Sequence, residues 1–228
     1  MGVPLGDRRG GFSGVRRLAF EKRFLRRLRL ILAVLVVVFA AALSLLFFQP
    51  LTKSSREELI VASEKMLPSF QLVNQYNETF RLDSLSRKPV ILFFGYTNCP
   101  DVCPLAMRKI RQAMDAGGIS PQEIVVVFVT VDPWRDTPPV LKQWVERNYP
   151  GVIALTGSYE DLAQVWQAYG VADPEDIWRA RNSSGDYYIS HSAVIYVADK
   201  RHVLRYVVSP EMSVEAFLQA IKEVIEEE

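Results

Sequence analysis

The sequence predicts an α/β fold, a three-layer sandwich with a mixed sheet, preceded by a single transmembrane helix. Two runs, "PVILFFG" and "EIVVVFVTV", are almost wholly apolar and rich in Val, Ile and Phe, as expected of strands buried on both faces. Segments with helical spacing alternate with the strands, which is typical of α/β architecture. An uncharged apolar run near the N-terminus accounts for the membrane helix.

The N-terminal segment is strongly basic, although the 228-residue chain carries a net charge of only +1. Residues 1–29 contain nine basic side chains: Arg8, Arg9, Arg16, Arg17, Lys22, Arg23, Arg26, Arg27 and Arg29. Residues 30–48, "LILAVLVVVFAAALSLLFF", carry no charge. As a helix they would be about 28 Å long, close to the thickness of the hydrocarbon core. The charges predict a cytoplasmic N-terminus and a C-terminal domain on the outer, periplasmic side of an inner or plasma membrane.

A cleaved signal peptide is the alternative interpretation of this segment. Small residues at Ala40–Ala42 offer a cleavage site, but the apolar run continues beyond them. Cleavable signals have a shorter apolar core, so an uncleaved anchor is predicted. No groove-reading pattern accompanies the arginines, and no nucleic-acid partner is expected.

The chain is therefore predicted to have four parts: a basic tail at 1–29, an anchor at 30–48, a tether at 49–67 and a globular domain at 68–228. The tether is polar and mixed in charge, with a short helix expected over 54–66. Because a domain of this length can bury a substantial core, it does not need a disulfide to fold.

The predicted elements of the globular domain follow in order from local pattern. A hairpin is expected over 70–85, with its turn at Asn77-Glu78. The further strands are apolar runs bounded by turn residues, at 89–95, 123–131, 151–155, 187–199 and 202–209. The helices have apolar residues three or four positions apart, at 104–116, 136–148, 158–170 and 213–228.

Capping residues support these helix boundaries. Gly117-Gly118 closes the first helix, and Pro in the first turn opens the second. Ser158 is a candidate N-cap of the third, which Gly170 ends. The last two strands form a hairpin through Asp199-Lys200-Arg201.

The only two cysteines, Cys99 and Cys103, lie between a buried strand and the start of a helix. A structural disulfide is one interpretation, but so short a loop restricts the unfolded chain little. The carboxyl ends of sheet strands commonly form ligand sites, and a helix N-terminus favours the thiolate. Thiolate is the form that attacks disulfides and the form that binds metal, so redox and metal chemistry both remain open at this point.

The spacing and the histidines favour metal binding. Three residues separate the cysteines, whereas thioredoxin-type dithiols have two. The chain has two histidines: His191 comes at the start of a predicted strand, and His202, after a charged turn, is expected to be solvated. Two thiolates and one imidazole suit Cu(I), or Cu(II) with added ligands. Zinc is the rival, although a structural zinc site normally has four ligands.

Four motifs together resemble the Sco/SenC family of membrane-anchored copper chaperones for cytochrome c oxidase assembly: "GYTNCPDVCP", "VTVDPWRDTP", "LTGS" and "ISHSAVIYV". The resemblance covers the anchor and roughly residues 68–228. It implies a thioredoxin-like fold with an added N-terminal hairpin. It also implies that Cys99, Cys103 and His191 bind copper.

The resemblance implies two functions that do not exclude each other. The first is copper delivery to the oxidase, with its copper-site subunit or another copper chaperone as partner. The second is thiol-disulfide reduction of the oxidase's copper-site cysteines, with Cys99 and Cys103 as the redox pair. An enzymatic activity is therefore left open, as is a purely structural scaffold in which the thiols are dispensable.

Three residues near the predicted site need the structure for their interpretation. Many family members have Asp immediately before the ligand histidine, where this chain has Ser190. Metal binding is expected to survive this difference, because Ser190 is not one of the implied ligands. Transfer to a partner is expected to differ here if that Asp takes part in it. Asp132 and Arg135 follow a predicted strand and are expected at the sheet edge that carries the cysteines, either supporting the site or a partner, or shaping a loop.

Overall fold

The computed structural model describes residues 27–41, 43–44, 59–61, 65–85, 87–183 and 186–227. The chain divides into two units, Met1–Thr52 and Lys53–Glu228. Most of the predicted basic tail and most of the tether lie outside the described residues, as do residues 42 and 45–48 of the predicted anchor.

The described part of the N-terminal unit is helical, over 27–41 and 43–44. Its large apolar side chains are exposed, including those of Leu30, Val36 and Phe39. Within the residues that the structure describes, no helix is both long and apolar enough to cross a membrane.

The C-terminal unit is built on a mixed sheet, which in the described residues has eight strands in the order β1-β8-β7-β4-β5-β6-β2-β3. The strands are β1 Leu59–Val61, β2 Gln71–Asn74, β3 Thr79–Arg81, β4 Val90–Gly95, β5 Val125–Thr130, β6 Ile153–Thr156, β7 Ile195–Ala198 and β8 Leu204–Val208. The strands β4, β5 and β6 are parallel, and β7 runs antiparallel to β4. The predicted mixed sheet and its N-terminal hairpin, β2–β3, are confirmed.

The helices of this unit are α1 Val102–Gly117, α2 Pro138–Asn148, α3 Tyr159–Ala168, α4 Pro174–Arg181 and α5 Val214–Glu226. A short 3₁₀ helix covers Leu82–Leu85. The predicted caps are present: Ser158 accepts a hydrogen bond from the backbone of Asp161, and Gly118 ends α1 in the left-handed conformation. Gly is suited to that position because it has no Cβ to clash.

The core lies on both faces of the central strands. All six residues of β4 and all six of β5 are buried. Because alternate side chains of a strand point to opposite faces, burial of every residue means that both faces are covered, as in the predicted three-layer sandwich. This packing fixes the carboxyl end of β4, after which the cysteines follow.

Two local predictions were wrong, and one helix was missed. Residues 59–61 form β1, paired with β8, where a helix over 54–66 was expected. The strand predicted over 187–199 covers only Ile195–Ala198, because the preceding residues hydrogen-bond to loops and side chains instead of to a neighbouring strand. The helix α4 was not predicted, although Asp173 caps it and Pro174 opens it.

Candidate metal centre

The two cysteines lie on a tight loop between β4 and α1. The backbone N–H of Cys99 donates to the carbonyl of Tyr96 at 3.2 Å, which turns the chain directly after β4. Cys103 lies in the first turn of α1 and is buried, whereas Cys99 is partly exposed. Both thiols are free.

The two thiols have opposite tendencies to ionise. Burial opposes a charge on Cys99, but hydrogen bonds from the backbone N–H groups of Asp101 and Cys103 outweigh it. Hydrogen bonds with the side chains of Cys103 and Tyr96 also favour the thiolate, so the pKa of Cys99 is lowered. Burial raises the pKa of Cys103, and the neighbouring Cys99 raises it further. A hydrogen bond from the backbone N–H of Tyr96 acts in the opposite direction but is the smaller effect. The helix N-terminus was expected to favour the thiolate, yet for Cys103 burial is the larger effect.

His191 lies beside Cys103, 88 residues later in the chain. Its Nε2 is 3.9 Å from the Cys103 Sγ, and its Nδ1 is 2.9 Å from the carbonyl oxygen of Ser192. Because a carbonyl only accepts hydrogen bonds, Nδ1 carries the proton and Nε2 keeps its lone pair on the side of the sulfur. Burial lowers the pKa of His191, although the hydrogen bond to the Ser192 carbonyl acts in the opposite direction. The lowered pKa favours the neutral imidazole, which is the form that binds a metal.

Cys103 contacts both of the other predicted site residues: its sulfur faces the His191 imidazole, and it hydrogen-bonds Cys99. In the described part of the chain, no group of three or more His, Cys, Asp or Glu side chains is arranged as the ligands of a metal ion. The separation of Cys103 and His191 nevertheless suits a shared ion. Bonds of about 2.3 Å to sulfur and about 2.0 Å to nitrogen, at an angle of about 120–130°, place the two ligand atoms about 3.7–3.9 Å apart. The donor set fits a soft or borderline ion.

Comparison with known proteins identifies the family. The sequence model of the SCO1/SenC family matches residues 61–226. The chain belongs to the SCO1/SenC family.

The relatives of this SCO1/SenC chain include one protein whose name refers to copper. It is 29% identical over 171 residues to a putative copper-binding protein of Stutzerimonas stutzeri, covering 75% of this chain and 82% of that one. It is 37% identical over 135 residues to a SCO2-like protein of Rickettsia prowazekii, covering 58% of this chain. The match spans 63% of the Rickettsia protein, less than two thirds of its length.

Solved structures show the same fold. ScoI of Bradyrhizobium japonicum with copper bound superimposes with a TM-score of 0.60 at 30% identity, covering 70% of this chain and 99% of that one. ScoI of Arabidopsis thaliana with copper bound has a TM-score of 0.60 at 27% identity, with the same coverage. The thioredoxin-like fold expected of a Sco/SenC protein is confirmed.

Arg135, Asp132 and Ser190 are the other residues of this SCO1/SenC chain that the sequence analysis placed near the site. Arg135 approaches the candidate site through Tyr96: its guanidinium carbon is 5.6 Å from the ring centroid of Tyr96, and that ring meets the His191 ring edge-on at 6.2 Å. Asp132 is fully buried and forms an ion pair with Arg135. Ser190 is exposed beside His191.

His202 does not belong to the site. It follows β7, whereas His191 precedes that strand, so the two histidines lie toward opposite ends of it. The expectation of a solvated side chain was wrong, because His202 is buried and its Nε2 has no hydrogen-bond partner. A charged turn in the sequence does not reveal that the turn folds back onto the domain.

Sequence reasoning missed two aromatic residues and one carboxylate that support the cysteine loop or the Asp132–Arg135 pair beside it. Tyr96 borders the cysteine loop and hydrogen-bonds Cys99; burial raises its pKa to about 12. Tyr187 donates from its hydroxyl to Asp132 at 2.7 Å. The buried Asp136 accepts from the backbone N–H of Thr97 at 3.0 Å, which holds the loop. A signal was present, since Tyr96 and Asp136 lie inside the quoted motifs and Tyr187 lies two residues before one.

Proposed function

We propose that this chain is a membrane-anchored copper carrier that delivers copper to cytochrome c oxidase during assembly, with Cys99, Cys103 and His191 as the copper ligands. One observation carries the proposal: the unprotonated Nε2 of His191 faces the Cys103 sulfur at 3.9 Å, and Cys103 hydrogen-bonds Cys99. The ScoI structures of Bradyrhizobium and Arabidopsis have copper bound, which supports the same assignment.

Copper is the cargo in this proposal, and the site suits both capture and release. Two thiolates and one neutral imidazole match the preference of Cu(I) for soft ligands. Cys103 must lose its proton when copper binds, so binding is coupled to proton release. Cys99 is partly exposed, which leaves one ligand accessible to an incoming partner thiol. We propose the oxidase's copper-site subunit, or another copper chaperone, as that partner.

Titration of the full-length protein in detergent with Cu(I) tests the ligand set. We expect one Cu(I) per reduced chain, and loss of tight binding in Cys99→Ala or Cys103→Ala. His191→Ala should weaken binding, because the soft sulfur ligands dominate Cu(I) affinity. The matched control is His202→Ala, which removes the only other imidazole and should leave copper binding unchanged. X-ray absorption without sulfur around the bound copper would overturn the assignment.

The second candidate function is thiol-disulfide reduction, which the unequal thiols favour. The Cys99 thiolate would attack a partner disulfide, form a mixed disulfide and expel the other partner sulfur as a thiolate. Cys103 would pass its proton to that thiolate and attack Cys99, which breaks the mixed disulfide. The second partner sulfur leaves as a thiolate, which takes its proton from water. The partner thus gains two electrons and becomes a dithiol, and this chain holds the Cys99–Cys103 disulfide.

Oxidase activity in cells at limiting copper separates the two candidates. Copper delivery requires the imidazole, whereas disulfide exchange requires only the thiols. We therefore expect His191→Ala to impair oxidase assembly while its dithiol stays redox-active, as measured by alkylation. Normal oxidase assembly in the His191→Ala strain would favour the reductase, because disulfide exchange does not need the imidazole. The cysteine variants do not separate the two functions, because either one should fail under both.

The anchor is proposed from the sequence of residues 30–48 and the basic residues that precede them. It would hold the N-terminus in the cytoplasm and the copper domain on the outer side of the inner or plasma membrane. We expect the full-length chain to stay with the membranes after a carbonate wash. Recovery of the intact chain in the soluble fraction would contradict this.

A further inference from the structure

The segment that carries His191 is held mainly by residues outside it. Residues 187–194 form no regular secondary structure. The backbone N–H of Ile189 donates to the Tyr96 hydroxyl at 3.4 Å, and that of Ser192 donates to the carbonyl of Val171 at 2.7 Å. Without a strand ladder, the position of the His191 imidazole depends on such contacts.

Tyr187 makes three contacts with residues outside this segment, and two of them are with Arg135. Nη2 of Arg135 donates to the Tyr187 carbonyl at 3.1 Å, and the guanidinium lies over the Tyr187 ring at 3.7 Å. The Tyr187 hydroxyl donates to Asp132 at 2.7 Å, and Nε of Arg135 donates to the same carboxylate. Arg135, Asp132 and Tyr187 therefore form a closed set, called here the Arg135 clamp.

The Arg135 clamp requires the shape of arginine. The planar guanidinium stacks on the ring while two of its nitrogens donate in different directions, to a buried carboxylate and to a backbone carbonyl. Lysine keeps the charge but cannot stack a planar group or donate along that fork. Arg135→Lys is therefore a test of geometry at constant charge.

The Arg135 clamp reaches the metal centre through Tyr96 as well. The Tyr96 ring lies between the guanidinium, at 5.6 Å, and the His191 ring, which it meets edge-on at 6.2 Å. Arg135 thus touches the start of the cysteine loop and the start of the His191 segment at once. It contacts the three proposed ligands only through these tyrosines.

We infer that Arg135 is a positioning residue, which sets the place of the His191 imidazole relative to the two thiols through Tyr187 and Tyr96. The inference rests on the proposed copper function, because its consequence is measured as copper affinity. Partners that orient metal ligands commonly change affinity about 10- to 100-fold when they are removed. Loss of an ion pair that serves only stability would lower fold stability and leave the Cu(I) affinity of the folded protein unchanged.

The protein contains a matched control for the ion pair. Arg205 pairs with Asp199, which is nearly as buried as Asp132, and the two arginine side chains are similarly exposed, at 20% and 25%. The Arg205 pair lies after β7, away from His191, which precedes it. Arg205→Lys therefore makes the same chemical change without touching the Arg135 clamp.

The experiment is a double-mutant cycle of Arg135→Lys and His191→Ala in the full-length protein, with Cu(I) affinity measured by ligand competition. We expect Arg135→Lys alone to weaken Cu(I) binding about tenfold. In the His191→Ala background the same change should alter affinity by less than about twofold, because the residue it positions is gone. Arg205→Lys should leave affinity unchanged. An equal loss in both backgrounds would overturn the inference, as would no loss in either.

A second measurement needs no copper and separates the inference from the proposed function. Hydrogen exchange of the metal-free, reduced protein should become faster over 187–192 in Arg135→Lys and stay unchanged there in Arg205→Lys. Unchanged exchange in Arg135→Lys would refute the clamp even if copper binds. Should the wild type bind no copper while exchange accelerates as expected, the copper function fails and the positioning stands.

The milder variant Tyr187→Phe keeps the test decisive if Arg135→Lys does not fold. It removes only the hydroxyl that donates to Asp132. We expect a smaller acceleration of exchange over the same residues and a smaller loss of Cu(I) affinity, again dependent on His191. Wild-type values for both would contradict the inference.

Discussion

Gly95 is predicted to be the residue that makes room for the Cys103 sulfur. It is the last residue of β4 and pairs with Thr130 of β5. A Cβ at this position would lie 2.9 Å from Cys103 Sγ and 3.0 Å from ring carbons of Phe93 and Phe128. The substitution Gly95→Ala therefore adds a methyl group to a space that the thiol already fills.

The expected magnitude follows from these distances. Non-bonded heavy atoms pack best at about 3.5–4.0 Å, so the neighbours must move by about 0.5–1 Å. Both phenylalanines are fully buried, which leaves the Cys103 side chain as the group most able to move. Overpacking costs about 1–3 kcal/mol, and the reduced freedom of the unfolded chain offsets about 0.4–1 kcal/mol of this. We expect a net loss of about 1–2 kcal/mol and about tenfold weaker Cu(I) binding.

Urea unfolding and Cu(I) competition, both on the full-length protein, measure the two effects. The matched control is Gly157→Ala, whose Cβ would lie 3.1 Å from a methyl carbon of the buried Leu72 and near no cysteine. It should leave Cu(I) affinity at the wild-type value whatever it does to stability. Wild-type stability and affinity in Gly95→Ala would refute the reasoning, because the structure offers the new methyl group no other space.

Two further predictions concern ionisation. Brief treatment of the reduced protein with iodoacetamide at neutral pH should modify Cys99 before Cys103. Cys99 is the more exposed thiol and its pKa is lowered, whereas burial raises the pKa of Cys103. Equal rates of modification in peptide mass spectrometry would contradict this. Asp199→Asn should lose about 1.5–3 kcal/mol of stability at pH 7. Burial opposes the Asp199 charge, but the N–H groups of Val203 and Arg201, with Arg205, lower its pKa below 3.8. A carboxylate whose pKa is lower in the folded state than in the unfolded state stabilises the fold at pH values above its ordinary pKa, and this stabilisation is lost as the pH falls through the folded-state pKa. The difference in unfolding free energy between wild type and Asp199→Asn, measured by urea unfolding, should therefore shrink below pH 3.8. A difference that stays constant with pH would be inconsistent with this.

Several parts of the fold could be predicted because their cause is local. The strands β4 and β5 are unbroken apolar runs, and α1 ends at Gly118, which takes the left-handed conformation that the pattern requires. The boundary between β4 and α1 followed from the same patterns, and so did the position of the two thiols between a strand end and a helix start. Each of these signals lies within a few residues of the element it determines.

The details of the candidate site could not be predicted in the same way. The segment 187–194 has the composition of a strand, but side chains of Arg135, Asp132 and Tyr96 hold it away from the ladder. The different ionisation of the thiols depends on burial of Cys103 and on backbone donors around Cys99. The burial of His202 depends on how its turn folds back.

By itself, the sequence determined which residue types this protein has for the proposed copper chemistry: two thiols and one well-placed imidazole in a chain with only two histidines. The tertiary structure decided how they meet. In the sheet, β4 lies between β7 and β5, and β7 runs antiparallel to β4. The residues after β4, after β5 and before β7 therefore share one edge, which brings the cysteine loop, Arg135 and His191 together across 88 residues of chain. Periodicity and turn chemistry encode contacts between near neighbours, whereas strand order arises only when the whole core packs.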